Sequence, residues 1–82
     1  DQYDLKLQMV GLNQGYDQVI IRGSMEANSF SAYYLQDGVV ISVDAVNRPK
    51  DFMVAKKIVA ARMKIDPAVL ADESIELKSL LA

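Results

Sequence analysis

Paired carboxylates are the first chemistry to look for in this 82-residue chain, and Asp44 and Asp51 are the pair its spacing offers. Two acids divide acid and base roles only where their surroundings push their pKa values apart. These two fall on different predicted elements, with no His, Ser or metal ligand set beside them. Asp44 reads as the outward residue of a strand. Asp51 reads as a first-turn acid, favourable to a helix dipole. The chain has no His and no Cys, so the commonest general base and metal ligand, the thiolate nucleophile and the disulfide are all excluded. Gly11, Gly15 and Gly23 do not form the G-x-G-x-x-G turn that cradles a dinucleotide. Tyr3, Tyr16, Tyr33 and Tyr34 are ordinary sheet-filling residues, and Met9, Met25, Met53 and Met63 are scattered as core fillers are. No catalytic residue and no metal site is expected.

Charge is more informative. The chain has 9 basic and 11 acidic residues, a net charge of −2. Six of the basic residues, Arg48, Lys50, Lys56, Lys57, Arg62 and Lys64, lie between positions 48 and 64, where Asp51 is the sole acid. Lys50, Lys57 and Lys64 are seven apart and would form one stripe on a helix. A single lysine there is most simply a solvated side chain. A helix of one sign suits steering of an acidic partner. Nucleic acid ranks low as that partner, because the isoelectric point is near 4.8 and no aromatic residue interleaves exposed bases as single-strand binding requires.

The elements that would carry these charges follow from periodicity. Tyr3, Leu5, Leu7 and Met9 alternate with Asp4, Lys6 and Gln8, the pattern of a half-buried strand with those four residues inward. Val19–Ile21 is a short β-branched run closed by Gly23-Ser24. Phe30–Leu35 is a third strand, with Phe30, Ala32 and Tyr34 on one face. Asp37-Gly38 between two apolar runs is the strongest short hairpin signal, since the tight turn needs positive φ at both central residues. Val39–Val46 is the return strand, completing a four-stranded antiparallel meander. Asn47-Arg48-Pro49 opens a helix over 48–63, with Asn47 as cap and Pro in the first turn. Asp66-Pro67 repeats that logic for a short helix over 67–71, and Leu77, Leu80 and Leu81 suit a last turn. Strands followed by helices define an α+β fold, a four-stranded, mainly antiparallel sheet with helices on one face.

Eighty-two residues make one domain. No apolar run approaches the roughly 20 residues of a membrane span. The opening Asp1-Gln2-Tyr3-Asp4 is unlike a secretory signal, and the absence of Cys fits a reducing cytoplasmic compartment. Without an initiator Met, residues 1–82 are expected to be a piece of a larger protein.

An ordered set of segments carries a resemblance. Tyr3-Asp4-Leu5-Lys6-Leu7-Gln8-Met9-Val10-Gly11-Leu12 is similar to the opening of the C-terminal domain of FAD-dependent NADH:ferredoxin reductases. Gln14-Gly15-Tyr16-Asp17, Val19-Ile20-Ile21-Arg22-Gly23, Phe30-Ser31 and the strands around Asp37-Gly38 follow in order. Val43 to Phe52, Asp72-Glu73-Ser74 and Leu77-Lys78 complete it. The family is that of the putidaredoxin, rhodocoxin and Rieske dioxygenase ferredoxin reductases.

The resemblance implies a parent flavoprotein with separate FAD and NADH domains, neither of them in this chain. The parent passes electrons from NADH through FAD to a 2Fe–2S ferredoxin, which feeds a cytochrome P-450 or a Rieske oxygenase. This fragment would hold no cofactor and perform no hydride transfer. It implies that Asp1, Gln2 and Tyr3 lie near the flavin, and that Lys56 and Lys78 touch the acidic ferredoxin. Lys57, Lys50 and Arg48 are weaker candidates, Arg48 having the alternative task of holding the strand-to-helix corner. Gln8 stands where related first strands carry a basic residue. Two other readings stay open: a dimerisation module of a flavin-dependent pyridine nucleotide reductase, and an unrelated binding module with a basic helix.

Overall fold

The computed structural model describes residues 7–12 and 14–81, with residues 80 and 81 described by backbone alone. Four strands, β1 (Leu7–Gly11), β2 (Gln18–Ser24), β3 (Ser29–Gln36) and β4 (Val39–Val46), precede helices α1 (Pro49–Ala60) and α2 (Pro67–Ala71) and a 3-10 segment, Leu77–Leu81. The expected α+β class is the one observed. The strands form one antiparallel sheet in the order β1-β4-β3-β2.

The two hairpins follow from their turns. At the β3–β4 turn Asp37 and Gly38 have φ of 53° and 82°, the left-handed pair that such a loop demands. Gly38 takes this conformation without a Cβ penalty and Asp tolerates it. The β2–β3 turn closes with the Asn28 amide donating to the Met25 carbonyl at 3.1 Å.

The first strand departs from the meander. It crosses to the far edge and pairs with β4, Gln8 opposite Ala45 and Val10 opposite Val43. The turn at Gln14-Gly15, with Gly15 at φ of 81°, does not return the chain beside β1. The link over 12–17 runs past the tip of the β3–β4 hairpin, where the Asp17 carboxylate accepts from the Asp37 amide at 3.0 Å. The β1–β4 pairing also inverts the expected face at Leu7 and Met9, while Tyr3 and Leu5 lie outside the described residues. Gln8 and Val10 are half-buried, Val10 packing on the core, whereas Leu7 and Met9 are 58% and 66% exposed. A strand's period of two leaves either face available, and register with the partner strand decides which is buried.

Tyr33, Leu35, Val40 and Val43 from the sheet meet Ala55 and Ile58 from α1, Leu70 from α2, Ile65 and Leu77. Helix α1 lies over β4 and β1, and α2 over β2. Burial pushes the Tyr33 hydroxyl well above its ordinary pKa, Asp51's negative charge adds to this, and Arg22 and Arg48 partly oppose it.

Helix α1 is shorter than its periodicity suggests. Arg48, not Asn47, is the cap residue, and it makes no side-chain cap bond. Asn47 has φ of 54° and donates its side-chain amide to the Asn28 carbonyl at 2.8 Å, tying the helix entry to the β2–β3 turn. The other end closes at Ala61, with Arg62 N–H bonded to Val59 O and Met63 N–H to Ile58 O. This closure turns the chain through Arg62, at φ of 51°, a position where glycine is preferred. Lys64 therefore leaves the helix and forms a bridge with Val39, so the stripe expected from Lys50, Lys57 and Lys64 is only Lys50 and Lys57. Arg62→Gly is expected to stabilise the domain by about 0.5–1 kcal/mol, because glycine relieves the left-handed strain. Urea unfolding checks it, and a destabilised variant contradicts it.

The second helix is capped as expected, with the Asp66 carboxylate accepting from Ala68 N–H at 2.9 Å.

Candidate functional site

Two arginines organise the side of the domain where α1 begins and the chain ends. Arg22 sits on the helix-facing side of β2 and is only 5% exposed. Its Nη1 donates to the carbonyls of Leu70 and Asp72 at 3.0 and 2.7 Å, with a longer contact to Val69 at 3.4 Å. Its Nη2 donates to the carbonyl of Ile75. These acceptors include last-turn carbonyls of α2, which have no partner within the helix. One guanidinium thus closes α2 and anchors the following turn.

Arg48 works from outside. Its Nε donates to Ser29 Oγ at 3.1 Å. Its Nη1 pairs with Asp51 at 3.0 Å and its Nη2 with Glu73 at 2.8 Å. The bond to Glu73, and to a lesser extent that to Asp51, raises the guanidinium's pKa against the opposing pull of partial burial. Arg48 therefore holds the strand-to-helix corner and clips the 73–76 turn to it. In that turn, the Ser74 hydroxyl and amide both donate to Asp72 and hold its carboxyl below its usual value.

Between these arginines lies an open groove of about 650 Å³, with Lys50 and Met53 on the α1 side and Glu73, Glu76 and Lys78 on the other. Tertiary structure has diluted the one-signed charge seen along the chain. Asp51, Glu73 and Glu76 all line the groove with the bases, and Arg48 is neutralised locally. Lys50, Lys56, Lys57 and Lys78 are exposed, and among the described residues none of the four forms an ion pair. Lys50 and Lys57 share one flank of the exposed face of α1. Lys56 occupies the other flank, its Nζ 5.8 Å from the centre of the Phe52 ring. Lys50 and Lys78 thus come together across the groove, while Lys56 stands apart from them. Asp1, Gln2 and Tyr3 lie outside the described residues.

Among the described residues no cluster of acids could hold a metal ion, and no helix is long and apolar enough to cross a membrane. The Asp44 carboxylate accepts from the Tyr34 hydroxyl at 2.9 Å on the outer sheet face, whereas Asp51 pairs with Arg48 at the start of α1. The side chains present suit electrostatic recognition. Arg22 is the residue that sequence reasoning passed over. Its signal was a charge at an inward strand position, in register with Ile20.

Residues 1–81 match the family described as Reductase C-terminal. The chain is 48% identical over 82 residues to putidaredoxin reductase of Pseudomonas putida, covering all of this chain and 19% of that protein. It is 39% identical over 82 residues to rhodocoxin reductase of Rhodococcus erythropolis, again 19% of that protein. The fold superposes with a TM-score of 0.90 on the covalent putidaredoxin reductase–putidaredoxin complex, at 47% identity, covering 99% of this chain and 19% of that one. The ferredoxin reductase for the CYP199A2 system of Rhodopseudomonas palustris gives the same TM-score at 43% identity, covering 96% of this chain and 20% of that one. The chain thus spans about a fifth of the length of the relatives it matches, and it belongs to the Reductase C-terminal family of ferredoxin reductase domains.

Proposed function

We propose that this chain is the C-terminal domain of an FAD-dependent NADH:ferredoxin reductase, where it covers the flavin edge and presents part of the surface that an acidic 2Fe–2S ferredoxin touches. The end-to-end match to the C-terminal family of ferredoxin reductases carries this reading. FAD and NADH belong to the parent's other domains, and the segment of Asp1, Gln2 and Tyr3 approaches the flavin. The electrons go on to a cytochrome P-450 or a Rieske oxygenase. Lys56 and Lys78 are the principal ferredoxin contacts, with Lys57 and Lys50 as secondary ones. Arg48 contributes less, since Asp51 and Glu73 already offset its charge.

The sheet face away from the helices supports a place inside a larger protein. Leu7, Met9, Val19 and Ile21 are exposed there, with Phe30 and Val46 half-buried between them. We assign this apolar face to contact with the parent's own FAD and NADH domains. The dimerisation reading would use the same face, and sedimentation of the full-length protein separates the two.

The docking role is tested by the Lys56→Glu, Lys78→Glu double variant of the full-length reductase. Rim charges act mainly on association rate and its salt dependence, so ferredoxin reduction at low ionic strength should fall about tenfold or more. NADH-driven reduction of ferricyanide should be unchanged. A ferredoxin rate equal to wild type at low salt refutes the reading.

A further inference from the structure

We propose that Arg22 is a positioning residue for ferredoxin docking: from inside the fold it sets where Lys78 stands on the groove rim. The proposal rests on the docking reading above. Lys78 belongs to a five-residue 3-10 segment, reached through a turn with little regular structure of its own. Two backbone bonds stiffen that turn locally, Ile75 N–H to Asp72 O and Ser79 N–H to Glu76 O, at 3.2 and 3.0 Å. Neither ties it to the sheet. Three groups do: buried Leu77, the Arg48–Glu73 pair, and the Arg22 guanidinium.

Of these, Arg22 has the greatest leverage. Its hydrogen bonds span residues 69 to 75, from the end of α2 to three residues before Lys78. They come from a side chain rooted in the sheet, opposite Ser31 in the β2–β3 register. Leu77 is an apolar anchor, held by packing without directional bonds. Glu73 is half-exposed, so its pair with Arg48 is weak against solvent. A planar guanidinium with five donors aims at several carbonyls at once, whereas an ammonium supplies three donors from a single point. Arg22→Lys thus keeps the charge and loses the geometry.

The test is a double-mutant cycle in the full-length reductase with Arg22→Lys and Lys78→Ala. Each single change is expected to raise KM for ferredoxin about three- to tenfold at low salt, with kcat at saturating ferredoxin and ferricyanide reduction kept within about twofold. In the Arg22→Lys background, Lys78→Ala should add less than about a further 1.5-fold, because the lysine is already misplaced. Hydrogen exchange should show faster exchange at Ile75 and Ser79 with β3 and β4 unchanged. Equal fold effects of Lys78→Ala in both backgrounds would make Arg22 a purely structural residue and overturn the proposal. A parallel fall of ferricyanide and ferredoxin activities would overturn it too. No effect of Lys78→Ala in the wild-type background would instead sink the docking reading through this lysine, and the proposal with it. Arg22→Gln, which leaves no buried charge, runs the same cycle if Arg22→Lys does not accumulate.

Discussion

Arg22→Met is expected to cost this domain about 2–4 kcal/mol, from lost charge-assisted hydrogen bonds and a buried carbonyl left without a donor. The substitution keeps the bulk of the side chain and removes its donors. Left behind are the Leu70 carbonyl, which is buried with its bond, and the Ile75 carbonyl at the edge of water, while those of Val69 and Asp72 keep backbone N–H partners. Each hydrogen bond to a charged group contributes about 1.5–3 kcal/mol, and water at the part-buried acceptors recovers some of that. A domain of this size has a total stability of roughly 4–12 kcal/mol, so the variant sits near the edge of folding. Urea denaturation followed by circular dichroism gives the answer. A loss below about 1 kcal/mol would mean that water serves the Leu70 and Ile75 carbonyls as well as the guanidinium does.

Gly23→Ala is the second large effect, expected to cost about 3 kcal/mol. Gly23 has φ of 108°, which residues with a Cβ rarely adopt. A Cβ placed there falls 2.6 Å from the Ser29 carbonyl oxygen, 2.8 Å from the Phe30 Cα and 2.7 Å from Arg48 Nη2. The first two are backbone atoms of the paired strand and have little freedom to retreat. Strain of about 1–3 kcal/mol adds to a similar overpacking cost. Arg48 is the movable neighbour, so the variant should also weaken its contact with Glu73 and loosen the 73–76 turn. Denaturation measures the first effect, and faster hydrogen exchange at Ile75 reports the second. A variant as stable as wild type would show that the β2–β3 ladder shifts to make room.

The expected elements that survive in the structure are those written in short-range chemistry. Asp37-Gly38 places two positive-φ residues between apolar runs, and the hairpin forms there. Asp66-Pro67 provides a carboxylate cap and a residue with no N–H to lose, and α2 begins there. The spacing of Ala55, Val59 and their neighbours produces α1. Asn47 shows how such reasoning fails, because several partners compete for one side chain. Its amide reaches back to Asn28, and the capping position falls to Arg48. The helix end was missed for a related reason, since Arg62 occupies a site where glycine would have advertised the stop.

The basic cluster was legible as a list of residues and misleading as a surface. Residues 48–64 alone predict one-signed charge. Folding brings Glu73 and Glu76 against it and takes Lys64 off the helix, leaving Lys50, Lys56 and Lys57 exposed on two flanks of α1.

By itself, then, the sequence determined the α+β class, the Asp37-Gly38 hairpin, both helix nuclei and the absence of His and Cys chemistry. All of these depend on composition or on residues a few positions apart. Only the tertiary structure decided that β1 pairs with β4, that Leu7 and Met9 face outward, and that Arg22 is buried beneath the 69–75 segment. Those outcomes join residues 31 to 53 positions apart. Local propensity is blind to them, because a strand can offer either edge or face until the rest of the chain has packed against it.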